Sequence, residues 1–307
     1  MMKKFVALLL ATCLLCPVFA LAEGTIKLGV FEPMTGATAA GGAMEKEGVD
    51  LANELYPEVL GKKIELVYGD NKSDRAEATL AAQSLVDKGV VAVLGSYASG
   101  LTMAGGEVFA EAEIPALTAT ATNPTVTLDC DWYARICFID PFQGTMLARY
   151  AVKNDYKKIA IMREKDSEYA VGLVKYFQDE LATHEGFEVV ELCDFMNKDE
   201  DFSALLGAVL DKKPDVIFTS VSYADKAAQI MKQARALGYE GAFFGGDTLD
   251  APELFTIAGA AAEGAVFTTF YDAAQPAPRR PASSWMPTAP STARSRPPRS
   301  SWPTTPT

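Results

Sequence analysis

Hydrophobic and polar positions alternate along this chain in two kinds of block. Short apolar runs such as IKLGVF (26–31), IELVYGD (64–70) and VVAVLGS (90–96) read as buried parallel strands. An amphipathic stretch after Gly42, then DRAEATLAAQSLVDKG and LTMAGGEVFAEAE, read as the helices between and after them. A second series opens with YARICF (133–138) and a helix after Asp140-Pro141, and runs through KKIAIMRE (157–164), EYAVGLVKYFQDELATHEG and EVVELCDF. It continues through FSALLGAVLDKKP, DVIFTSV, YADKAAQIMKQARALG, GAFFGGDTL and AVFTTFYD (265–272). Strands alternating with helices of this length imply βαβ units. Two such series predict an α/β fold of two doubly wound parallel-sheet lobes around a ligand cleft.

Two turns carry the candidate chemistry: GSYASGLT (Gly95–Thr102) and PALTATATNP (Pro115–Pro124), each ending a strand-like run. In open α/β sheets ligands bind beyond the carboxyl ends of the strands. Ser99 sits where a helix N-cap is expected, and a helix N-terminus offers unpaired N–H groups and partial positive charge to a carboxylate. Small hydroxyl residues leave those N–H groups accessible, so the pattern points to a small anionic or zwitterionic ligand. The plainer reading is that Ser99, Thr120 and Thr122 only cap helices and turns.

The N-terminus adds a cellular address. Lys3 and Lys4 precede an apolar stretch from Phe5 to Phe19, and Ala20-Leu21-Ala22 forms a small-x-small cleavage site. Residues 1–22 are thus expected to be a signal peptide, and the mature chain to be soluble in the periplasm. Cys13 and Cys16 raise a lipid-anchored alternative, weakened by Thr12 and Leu15 before them. Residues 23–276 hold 40 acids against 21 bases, a surface that repels nucleic acid. Of the cysteines after the leader, Cys130 and Cys137 could bridge in an oxidising compartment with Cys193 left free, or all three could stay reduced. No Cys/His spacing suggests a metal, the only histidine (His184) is placed at a polar helix end facing solvent, and no cofactor motif follows a strand. Without a nucleophile–base pair, an enzyme is disfavoured.

The order and spacing of EPMTG, YGDN, SYASGLT, TATATNP, DPFQG (140–144), SYAD (222–225), QARALG and FFGGD (243–247) resemble the leucine/isoleucine/valine-binding protein family. These are substrate-binding components of amino-acid ABC transporters, and the likeness runs from about Thr25 to Gln275. It implies a lobe one over residues 23–139, a lobe two over 140–270, and a return crossing at 271–276. It further implies that Ser99 meets a ligand α-carboxylate and that Thr120 offers its carbonyl to the α-ammonium. Thr122 would serve either group. Tyr223 and Asp247 would close the cage from lobe two, with Asp247 as counter-ion to the ammonium, and Tyr169 would line the side-chain pocket. Gly41 departs from the pattern, standing where relatives carry an aromatic ring, so that the pocket widens there or another residue fills it. The implied partners are a free amino acid, branched-chain or otherwise aliphatic, and a membrane permease, with the protein itself a monomer. An alternative within the same fold is a sensory module that reports an amino acid or amide to a receptor.

From Ala277 the composition turns to Pro, Ser, Thr and Arg without a single acid, an expected disordered extension over 277–307. The family instead returns to lobe one here with helices. Reading the third base of each codon with the first two of the next forces alanine at Trp302-Pro303, aspartate at Trp285-Met286 and alanine at Met286-Pro287. Ser283–Ala293 can then read FVDAYRAKYG and Ser301–Thr307 VAYDAY. The tail therefore reads as the product of a frameshift beginning near Ala277–Arg279, with apolar surface of lobe one expected to be left uncovered.

Overall fold

The strands form where β-branched and aromatic residues run together, and the helices where small and charged residues alternate at helical spacing. The computed structural model describes residues 24–128 and 130–271. The expected signal peptide (1–22), Cys13 and Cys16, residues 272–276 and the tail (277–307) lie outside the described residues.

The first half contributes β1 (Ile26–Glu32), α1 (Ala39–Leu55), β2 (Glu58–Val59), β3 (Lys62–Asp70), α2 (Arg75–Asp87), β4 (Ala92–Gly95), α3 (Ser99–Glu111), β5 (Ala116–Thr118), α4 (Thr125–Leu128) and β6 (Tyr133–Arg135). The second half contributes α5 (Asp140–Lys153), β7 (Lys158–Glu164), α6 (Glu168–Leu181), β8 (Glu188–Phe195), α7 (Ser203–Asp211), β9 (Val216–Ser220), α8 (Ala224–Ala236), β10 (Ala242–Gly245), α9 (Pro252–Ala258) and β11 (Ala265–Phe267). The first sheet has the order β2-β3-β1-β4-β5-β6, parallel except for the β2–β3 hairpin. The second, β11-β10-β9-β7-β8, is parallel throughout. Two α/β sheets of this order are the predicted doubly wound lobes.

Three expectations change. YARICF does not open the second series: its strand is only Tyr133–Arg135 and pairs with β5 in the first sheet. The last strand stops at Phe267, short of the expected residue 272. Neither run is long enough, once its polar ends leave the sheet, to hold more than three residues on the ladder. His184, placed in solvent by its polar surroundings, is half-buried with Nε2 3.3 Å from Glu180 Oε1.

Local chemistry fixes the helix starts that matter. Asp74 caps α2 by accepting the N–H groups of Ala76 and Glu77 at 2.8 and 3.0 Å, and Ser167 caps α6 through the N–H of Ala170 at 3.2 Å. Pro141 sits in the first turn of α5, where its missing N–H costs nothing. In lobe one, α2 and α3 cover one face of the sheet, with Phe31 edge-on to Phe109 at 5.4 Å. In lobe two, α5 and α6 cover one face around Phe177 and Phe218. On the other face α7, α8 and α9 gather around Phe195, Phe202 and Phe243. Each such ring, removed from water, contributes about 1.5–3 kcal/mol.

Candidate functional site

In each sheet the connections run in opposite directions from a central pair, β1/β4 in the first and β7/β9 in the second. At the carboxyl ends of such a pair the following loops diverge and leave a crevice. The two crevices face each other, and the residues that line the cavity between them come from these ends: Tyr97, Ala98 and Ser99 after β4, Ser167 after β7, and Ser222 after β9. Thr120 after β5, Tyr169 on α6, and Asp247 and Thr248 after β10 complete the wall.

The turn after β4 is held rigid by its own polar groups. Asn71 donates to the Ser96 hydroxyl at 2.9 Å, and the Ser96 carbonyl accepts the hydroxyls of Thr102 and Thr118 at 2.8 and 3.1 Å. Tyr97 N–H donates to Glu32 Oε2 at 2.8 Å. Ala98, at φ 70°, is the residue that precedes the helix, so Ser99 is its first residue and not its N-cap as expected. The buried Ser99 hydroxyl instead accepts the N–H of Asn123 at 3.2 Å, tying α3 to the second hydroxyl turn. The N-terminus of α3 still points at the cavity and supplies partial positive charge there.

Thr120 lines the cavity and donates its hydroxyl to Glu45 Oε1. Thr122 is fully buried next to Asp140 and its hydroxyl makes no hydrogen bond of good geometry. Asp247 is 8 % exposed, with Oδ1 accepting the Tyr169 hydroxyl at 2.8 Å and its backbone N–H donating to Gln143 Oε1 at 3.1 Å. Tyr169 is therefore a buried wall residue and a partner of Asp247. Tyr223 is not brought to the cavity: its hydroxyl donates to Glu253 Oε2 at 2.6 Å, and its ring backs Tyr97 edge-on at 6.1 Å. The neighbouring Ser222 takes the place on the wall, because the extended backbone at Tyr223 sends its side chain away from the cleft.

The electrostatics favour a cation. Among the described residues, no lysine, arginine or histidine lines the cavity. Burial pushes Asp247 up to about 6 and Glu45 up to about 7, the latter opposed by the Thr120 hydroxyl. Burial also pushes Asp140 up to about 7 and raises Glu32 and Glu164. Of these carboxyls Asp247 lies on the cavity wall, and a group that burial keeps from ionising is stabilised in its charged form by a positive group beside it. Of the residues that sequence reasoning missed, Tyr97, Ser222 and Gln143 lay inside quoted motifs, and Glu45 shares a helix face with Gly41 four positions earlier.

The lobes touch around this cavity. The Tyr97 hydroxyl donates to the Ser222 carbonyl at 2.9 Å, Asn123 Nδ2 donates to the Glu168 carbonyl at 2.9 Å, and Arg75 pairs with Glu168. Cys130, Cys137 and Cys193 are all free, so the considered Cys130–Cys137 bridge is not formed. Burial pushes the Cys137 thiol up to about 11, which keeps it protonated and unreactive. Among the described residues there is no cluster suited to a metal and no helix long and apolar enough to cross a membrane.

A family model described as periplasmic binding protein matches residues 25–300. The chain belongs to the periplasmic binding protein family. Its match extends beyond the Thr25–Gln275 stretch on which the motif resemblance rests. The Leu/Ile/Val-binding protein BraC3 of Rhizobium johnstonii is 31% identical over 278 residues, covering 89% of this chain and 74% of that protein. The solved leucine-binding protein LivK of Thermotoga maritima is 38% identical with a TM-score of 0.77, over 80% of this chain and 70% of that one. LivJ of Streptococcus pneumoniae, solved in complex with isoleucine, is 33% identical with a TM-score of 0.74 over the same shares. The family, the two-lobed fold and the likeness to branched-chain amino acid binding proteins thus agree with the reading of the motifs.

Proposed function

We propose that this protein captures a free amino acid with an aliphatic side chain outside the cytoplasm and delivers it to an ABC transporter permease, without chemical turnover. The observation that carries the proposal is the pairing, across one cavity, of the α3 N-terminus and hydroxyl turns with Asp247. A zwitterion taken out of water needs both charges matched, because an unpaired buried charge is costly. Ser99, with the N–H groups that follow it, takes the carboxylate. Asp247, with the Thr120 carbonyl, takes the ammonium, while Thr122, fully buried beside Asp140 and off the cavity wall, backs the second hydroxyl turn instead of reaching the ligand. Tyr169 holds Asp247 in place and lends its ring to the pocket. Tyr223 acts from behind by supporting Tyr97.

Titration calorimetry of the secreted protein against the twenty amino acids tests this. One aliphatic L-amino acid bound per chain, recovered unchanged, is expected. Binding only of a sugar, or of an anion without an ammonium, overturns it.

A further inference from the structure

Resting on that reading, the geometry points to Tyr97 as the residue that sets how long a ligand side chain the site accepts, with Gly41 as the position that makes room for its ring. Gly41 is buried on α1, and a Cβ built there would lie 2.5 Å from the Tyr97 Cζ and 2.6 Å from both Cε atoms. Only a residue without a side chain lets the ring lie flat against that helix. The widening implied by a glycine at this position is therefore filled from the other side of the pocket.

Tyr97 is held by its backbone, its hydroxyl and its ring. Its backbone N–H is held by Glu32, its hydroxyl by the Ser222 carbonyl of lobe two, and one side by the edge of Tyr223. Tyr97 is 7 % exposed, and what remains exposed looks into the cavity. Among the described residues on the cavity wall, the Tyr97 and Tyr169 rings are the large carbon surfaces; Ala98 adds a methyl, and the others are serines, threonines and Asp247. An apolar ligand side chain must lie on those carbon faces. Since the Tyr97 hydroxyl bonds across the cleft, a side chain too long to fit beside the ring would also prevent that contact and leave the lobes apart.

Calorimetry with alanine, valine, leucine, methionine and phenylalanine, on the wild type and three variants of the full chain, tests the assignment. Tyr97→Leu is expected to raise affinity for the longest side chains relative to alanine by tenfold or more, the range in which a few methylenes discriminate. Tyr97→Phe keeps the ring, so it is expected to weaken all ligands by a similar few-fold without changing their order. Gly41→Ala pushes the ring off the helix and is expected to penalise long side chains more than short ones. An unchanged ligand order in Tyr97→Leu overturns the assignment. If that variant gives no cooperative melt, an unchanged order in Gly41→Ala overturns it instead. A wild type that binds no amino acid removes the proposed function itself, and the inference with it.

Discussion

Replacing Asp247 by asparagine isolates the counter-ion in one nearly isosteric step. The carboxylate is 8 % exposed, receives the Tyr169 hydroxyl at 2.8 Å and faces a cavity with no basic side chain among the described residues that line it. Removing one partner of a desolvated ion pair costs about 3–5 kcal/mol. Here the reference is an opened cleft that water can enter, which lowers the expected loss to about 2–4 kcal/mol, or roughly 30- to 1000-fold in Kd. Tyr169→Phe removes only a hydrogen bond to that carboxylate, which water or the ligand ammonium can replace, so about 1 kcal/mol is expected. Calorimetry of both variants with the same ligand at pH 7.5 compares them. The pH dependence adds a second readout. With Asp247 pushed up to about 6 by burial, wild-type affinity falls as pH drops through 6, because the ammonium needs the ionised carboxylate. Asp247→Asn is expected to flatten that limb. Equal losses in the two variants, or an unchanged pH limb in Asp247→Asn, would refute the roles assigned to them.

The same raised carboxyls make a prediction for the ligand-free protein. Asp140 and Glu45 at about 7 and Asp247 at about 6 bind protons in the folded state that the unfolded chain releases near pH 4. Their contribution to stability is complete below about pH 4 and is lost as pH rises to about 7. Carboxylates held low, such as Asp70 among its backbone N–H donors, act below that window. Thermal melts without ligand are therefore expected to give a Tm a few degrees higher at pH 5 than at pH 8, and the reverse order would contradict the burial argument. Arg75→Ala removes an ion pair between the lobes whose arginine is 58% exposed, so ligand affinity should fall by no more than about fivefold; a larger loss in calorimetry would mean that this pair governs closure. Resequencing across the codons for residues 275–283 is expected to find a base gained or lost, and an uninterrupted frame there would refute the frameshift reading of the tail.

Much of the fold was legible because period and length suffice for it. A run such as KIAIMRE, buried on both faces, has no other stable use than a central parallel strand, and the helices between strands announce themselves by caps such as Asp74 and Ser167. Strand ends and the membership of YAR in the first sheet depended on pairing partners distant in sequence, which no local window contains. For the site, the motifs named the right turns. Which side chain of each turn enters the cavity was decided by backbone direction, as where Ser222 enters and Tyr223 turns to Glu253. Tyr169 shows the same limit, since only packing against Asp247 distinguishes a buried tyrosine at a helix start from an exposed one. The absence of a side chain at Gly41 was written in the sequence. That a ring from the loop after β4 fills the space above it is a matter of two segments more than fifty residues apart meeting at van der Waals distance, and tertiary structure alone arranges that.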